Sequence, residues 1–171
     1  DLAASGRTGK GYNMEGRFFA HVSYHSLIIT DKIITIQREG SFAVGEGVIE
    51  PWPGEFFLMQ PVKRQDLPRK FPSASSMVQY ADAAALEGAV LRTRAPGDYF
   101  SPFGMEGKKK LKDWMIDEKI PREARGSMPL LAKGSEVLWI IGYALSDRAK
   151  VRRDSSAVCK ISYMYNTGEE S

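Results

Sequence analysis

The chain has one cysteine, Cys159, and two histidines, His21 and His25, among 171 residues. A single thiol excludes an internal disulfide framework and a thiolate zinc cluster, and it suits a reducing compartment; the expectation for Cys159 is an inert, buried side chain. The histidines lie four apart in a strand-like stretch, where they would share a face but stand about 13 Å from each other, too far for one metal. No apolar run reaches the roughly 18 residues of a membrane helix. The longest, "VLWIIGYAL", is interrupted by a glycine. The opening "DLAASGRTGKGYN" lacks the hydrophobic core of a signal peptide, and it starts on Asp1 instead of methionine, as a piece of a longer protein would. Cytoplasmic localisation, with no membrane partner, is the expectation.

Catalytic signatures are equally scarce. "SGRTGKG", Ser5 to Gly11, hints at a phosphate loop, but only Arg7 and Thr8 separate Gly6 from Gly9 where the Walker spacing needs four residues. "GEGVIE" starts like a dinucleotide fingerprint, yet its third glycine is missing and no helical pattern follows. There is no Gly-x-Ser-x-Gly elbow, and Cys159 has no histidine partner in a recognisable arrangement. The chain reads as a binding or scaffolding module with no catalytic residues, no metal site and no cofactor of its own.

What is present is an ordinary globular composition, 43% hydrophobic and 26% charged, with a net charge of +3 that leans mildly toward polyanionic partners. From Arg17 to about Pro61 the pattern is mostly period two, in "RFFAHVSY", "SLIIT", "KIITIQ", "FAVGEGVIE" and "EFFLM", separated by turn signals such as Pro53-Gly54. "KRQDLPRKFPSASS" reads as a connector. Beyond it come a short helix in "YADAAALEG", a strand "AVLRTR", a Gly- and Pro-rich loop "APGDYFSPFGMEG", a lysine-rich helix, and strands in "PLLAK", "EVLWIIGYAL", "RAKVRR" and "AVCKISYMY". The expected class is α+β: an antiparallel or mixed sheet with one or two short helices on one face and a β-rich N-terminal half. The expected division is a β-rich region over 1–77 and a C-terminal domain over 78–171.

The segment "GMEGKKKLKDWMIDEKIP" is the unusual one. Leu111, Trp114, Met115 and Ile120 recur at helical spacing, while Lys108, Lys109, Lys110 and Lys112 crowd the expected first turn, where the macrodipole favours acidic residues. The helix start therefore reads as a place for an anion, and Lys109 with Asp113 as an i, i+4 pair. Trp114 and Trp139, each on an apolar stripe, read as core anchors.

The run from Leu91 to Val151 resembles the C-terminal domain of bacterial tRNA(Ile)-lysidine synthases. The matching features stand in order: an Arg-rich strand, the "PGD" turn, "FGMEGKKKLKD" entering a helix, "PR" after it, "PL", an "LW" strand and a closing "SDRAKV". The upstream "SGRTGK" also looks like the family's preceding region. The resemblance implies a parent ligase that uses ATP and Mg to join lysine to the anticodon cytidine of a minor tRNA(Ile) with a CAU anticodon. In the family that chemistry sits in an N-terminal PP-loop domain marked by Ser-Gly-Gly-x-Asp-Ser, a motif not found here. What remains would grip the tRNA, including its acceptor stem, beside its own catalytic domain as partner; a homodimer stays open. The RNA-binding residues carried over are Lys108, Lys109, Lys110, Lys112, Arg92, Arg94, Arg122, Arg125, Arg148 and Lys150. Tyr99, Ser101, Ala144 and Gly126 depart from the family pattern, the first three at positions that are often or commonly basic. The alternative is a structural or protein-interaction domain that does not touch RNA.

Overall fold

The structure, a computed structural model, describes residues 11–13, 19–22, 27–30 and 38–166. The "SGRTGK" stretch, His25 and "KIITIQ" lie outside the described residues. Three short strands, β1 (Gly11–Asn13), β2 (Phe19–Val22) and β3 (Leu27–Thr30), form an antiparallel meander of their own.

The rest is built on two sheets. β4 (Phe42–Ala43) is followed by the hairpin of β5 (Gly47–Trp52) and β6 (Glu55–Val62), whose Pro53-Gly54 turn places Gly54 at φ +75°, a conformation that costs glycine nothing. After a connector come β7 (Val78–Asp82), the one-turn helix α1 (Ala83–Leu86) and β8 (Val90–Arg92). Asp82 caps α1 by accepting a hydrogen bond from the Ala84 amide at 2.9 Å. β9 (Tyr99–Phe100), β10 (Lys109–Lys110), helix α2 (Leu111–Asp117), β11 (Leu130–Lys133), β12 (Glu136–Ile140), β13 (Ala144–Leu145) and β14 (Val158–Tyr165) complete the order. A mixed sheet runs β10-β9-β12-β11-β8-β4, with β13 also on β12; its β9–β12 pair is parallel and the others antiparallel. A four-stranded antiparallel sheet runs β5-β6-β14-β7.

The seven-stranded sheet is the middle layer. Alternation along β11 sends Leu131 to one face and Leu130 and Ala132 to the other. The Leu131 face meets the four-stranded sheet through Leu91, Trp139, Phe57, Ile161 and Tyr163. The opposite face carries α2 through Leu111, Trp114 and Met115, packed with Phe100, Val137 and Ile140. A bulge makes this possible: Leu131 faces Trp139 but Ala132 faces Val137, so Leu138 is the extra residue and joins Trp139 on the inter-sheet side. Trp114 and Trp139 are both core residues, and Cys159 is buried.

Two expectations are corrected. The lysine-rich helix is shorter than its spacing suggests: Lys109 and Lys110 are extended and pair with Phe100 and Tyr99, and the Leu111 amide donates to the Asp98 carbonyl at 2.9 Å, so the helix starts at Leu111. It ends at Asp117, ahead of Pro121, with Lys119 at φ +54° and the Ile120 amide returning to the Met115 carbonyl. "RAKVRR" is no strand, because Ser146 caps a 3-10 turn over Asp147–Ala149 by accepting from the Arg148 amide. The four-stranded sheet takes strands from both sides of residue 77, since β14 lies between β6 and β7.

Candidate nucleic-acid interface

The "PGD" turn is a rigid corner. Arg92 reaches Asp98 with two parallel bonds of 2.8 Å and donates further to the carbonyls of Thr93 and Gly134, while Asp98 also accepts from the Ala95 amide. The pair is nearly enclosed, at 14% and 2% side-chain exposure. A guanidinium engaged this way holds the backbone that enters β9, and it has little left for a phosphate. Arg94, in the same turn, is exposed.

β9 leads into loop 101–108, "SPFGMEGK", and β10 leads out of it. The loop is tied to the 3-10 turn of 147–149: the Ser101 carbonyl accepts from the Asp147 amide at 2.8 Å and from Ser146 Oγ at 3.3 Å. This tie brings distant cations together. Lys108 Nζ lies 4.3 Å from the centre of the Tyr99 ring, and Lys150 Nζ lies 5.2 Å from that of Phe103. Glu136 stands beside Tyr99 across the parallel pairing of β9 and β12, and Arg148 reaches it at 3.3 Å. Lys110 lies opposite Tyr99 in β10 and is exposed. Asp147 forms an ion pair with Lys150 at 3.6 Å and accepts a hydrogen bond from Arg152 at 2.6 Å.

Lys108, Lys110, Arg148, Lys150 and Arg152 thus surround the loop against the carboxylates of Glu106, Glu136 and Asp147. The other candidate residues are placed differently. Lys109 turns to Asp117 on α2 instead of Asp113 and is largely neutralised. Lys112 is exposed in the first turn of α2, but a helix of seven residues has a weak dipole. Arg125 donates to the Ile120 carbonyl at 2.8 Å, and Arg122 is exposed beyond the C-terminal end of α2, at the far end of the helix from the lysines. The structure therefore gathers part of the basic set around loop 101–108 and leaves Arg92, Lys109 and Arg125 in internal bonds.

Sequence reasoning passed over Phe103 and the acidic partners Glu136 and Asp147, and it read Tyr99 only as a departure. The available signal was the run of aromatic residues interleaved with glycine and lysine in "DYFSPFGMEGKKK". Among the described residues no group of three or more His, Cys, Asp or Glu side chains could hold a metal ion, and no helix is long and apolar enough to cross a membrane.

The α+β arrangement and the sequence of its C-terminal region both have known counterparts. Residues 89–162 match the family described as the TilS substrate C-terminal domain. A crystal structure of a TilS C-terminal domain superposes with a TM-score of 0.60 at 26% identity, covering 74% of this chain and 96% of that one. Residues 89–162 of this chain thus resemble TilS C-terminal domains in sequence, and the fold is similar to that of a solved one.

Its curated relatives are tRNA(Ile)-lysidine synthases. That of Caldanaerobacter subterraneus subsp. tengcongensis is 46% identical over 87 residues, 50% of this chain and 19% of the relative. That of Dehalococcoides mccartyi is 45% identical over 92 residues, 53% of this chain and 20% of the relative. The chain is matched over about a fifth of the length of these relatives.

Proposed function

We propose that this chain is the tRNA-gripping part of a tRNA(Ile)-lysidine synthase, holding the acceptor-stem backbone while a catalytic domain outside these 171 residues attaches lysine to the anticodon cytidine. On this reading ATP and Mg serve that other domain, the RNA is the minor tRNA(Ile) with a CAU anticodon, and the setting is the cytoplasm. No step of the ligation is assigned to residues of this chain.

The observation that carries the reading is the group of exposed cations around loop 101–108, contributed by two separate segments, 108–110 and 148–152, and outnumbering the local carboxylates. A-form stems hide their bases in a deep, narrow groove, so a protein holds them by phosphates, 2′-hydroxyls and shape. Lysines on a short strand and on anchored turns suit that task as point charges. The internal bonds of Arg92, Lys109 and Arg125 favour a second reading, in which the domain is a structural partner of the catalytic domain and its charges are only solvated.

Salt separates the two. The 171-residue chain should bind the minor tRNA(Ile) with an affinity that falls steeply with ionic strength, and a Lys108/Lys110/Arg148/Lys150→Ala variant should lose roughly three units of log-log slope, at about 0.7 to 0.9 per contact. Equal slopes for the two proteins, or no binding of either at low salt, would leave the structural reading in its place.

A further inference from the structure

Loop 101–108 carries apolar surface as well as charge. Phe103 is 52% exposed and Met105 58%, at the tip of a loop whose two ends are fixed. Phe100 is buried before it, Lys109 is paired in β10 after it, and the Ser101 carbonyl is held by two donors from the 146–147 segment. Within the loop the Met105 amide returns to the Pro102 carbonyl at 3.4 Å, and Gly104 and Gly107 turn the chain at φ +72° and +90°. At both glycines a side chain would meet open space, so backbone conformation alone calls for glycine there. The outward position of Phe103 is thus set by the backbone.

A grip on a stem through phosphates does not call for such a ring. A base inside the stem has both faces stacked, so a surface aromatic side chain is useful only to a base that has left the helix. The ammonium of Lys150 lies over one face of the Phe103 ring and that of Lys108 over Tyr99, so a base stacked on the other face of Phe103 would have charge within reach of its phosphates.

We propose that loop 101–108 takes an unpaired nucleotide adjoining a stem, with its base stacked on Phe103 and its phosphates near Lys150 and Lys108. The proposal rests on the RNA-binding reading and narrows it to a junction between double- and single-stranded RNA. A uniform duplex is not the preferred ligand.

The test uses the 171-residue chain and two RNA hairpins with one stem sequence, one blunt and one with a short 3′ single-stranded extension bearing 2-aminopurine at its first unpaired position. The wild type should bind the extended hairpin about tenfold more tightly, with a change in 2-aminopurine fluorescence, since stacking on one aromatic residue carries an effect of this order. Phe103→Ala should lose both the preference and the fluorescence change, keep its affinity for the blunt hairpin, and show an unchanged circular dichroism spectrum. Phe103→Trp should restore the preference. If the wild type binds both hairpins equally with a steep salt dependence, or if Phe103→Ala keeps the preference, the stacking proposal is overturned and the phosphate grip stands. If neither hairpin binds at low salt, both readings fall.

Discussion

At the scale of single residues, the most demanding site is a buried polar cluster around Glu55. Arg38 donates through Nε to both carboxylate oxygens of Glu55, at 3.0 and 2.9 Å, and also to the Ser127 carbonyl, while the Tyr163 hydroxyl donates to Glu55. Arg38 and Glu55 have only 6% and 5% side-chain exposure. Glu55→Gln should destabilise the fold by about 3–5 kcal/mol in urea titration, because it leaves a buried guanidinium without its counter-charge. Burial and then the bond to Glu55 push the Tyr163 hydroxyl pKa far above its usual value. The folded protein therefore keeps a proton that unfolded tyrosine sheds above about pH 10, so this contribution is intact below that pH and lost above it, at about 1.4 kcal/mol per pH unit. Burial raises the Cys159 thiol in the same direction, so its share begins to fall from about pH 8.5. Tyr163→Phe should flatten the tyrosine part of the alkaline decline seen in thermal unfolding, at a cost near neutrality of about 1.5 kcal/mol. Arg92→Lys offers a contrast with the surface lysines. It should lower stability because an ammonium cannot reproduce the two-pronged bond to Asp98, yet leave the salt slope of RNA binding unchanged.

At the scale of elements, the local code was legible where the pattern needed no distant partner. "EFFLM" alternates and is β6, Pro53-Gly54 is a hairpin turn, and the apolar stripe of Leu111, Trp114 and Met115 is the buried face of α2. What could not be read locally were the points where a remote strand decides. Lys109 and Lys110 have good helix propensity, but pairing with Tyr99 and Phe100 holds them extended. The cations near loop 101–108 meet only because the Ser101 carbonyl bonds to residues more than forty positions away. Even the end of α2 departs from habit, for Lys119 occupies the left-handed position that glycine usually takes. Lys119→Gly should therefore raise stability by roughly 0.5–1 kcal/mol in a chemical denaturation series, the relief of backbone strain outweighing the added freedom of the unfolded chain.

At the scale of the whole molecule, β14 is the strand on which the two halves depend. It pairs with β6 from Val158↔Val62 to Tyr165↔Glu55 and with β7 from Val158↔Asp82 to Ser162↔Val78. Its Ile161 and Tyr163 belong to the same core cluster as Phe57, Leu131 and Trp139. A fragment of residues 78–171 would leave one edge of β14 unpaired and remove Trp52 and Phe57 from that core. It should show weak near-ultraviolet circular dichroism, bind a hydrophobic dye and exchange its β14 amides quickly, whereas the 171-residue chain should unfold in one cooperative transition over the described sheets.

The position of β14 also bears on how the chain is made. During synthesis β6 leaves the ribosome long before its partner, since Val62 must wait for Val158. At roughly 5–20 residues per second the delay is several seconds, during which the edge of β6 and the ring of Phe57 have no native cover. The nascent chain is thus a natural client for holding chaperones throughout that interval, and slowing translation between the codons for Val62 and Val158 should lower the yield of folded protein.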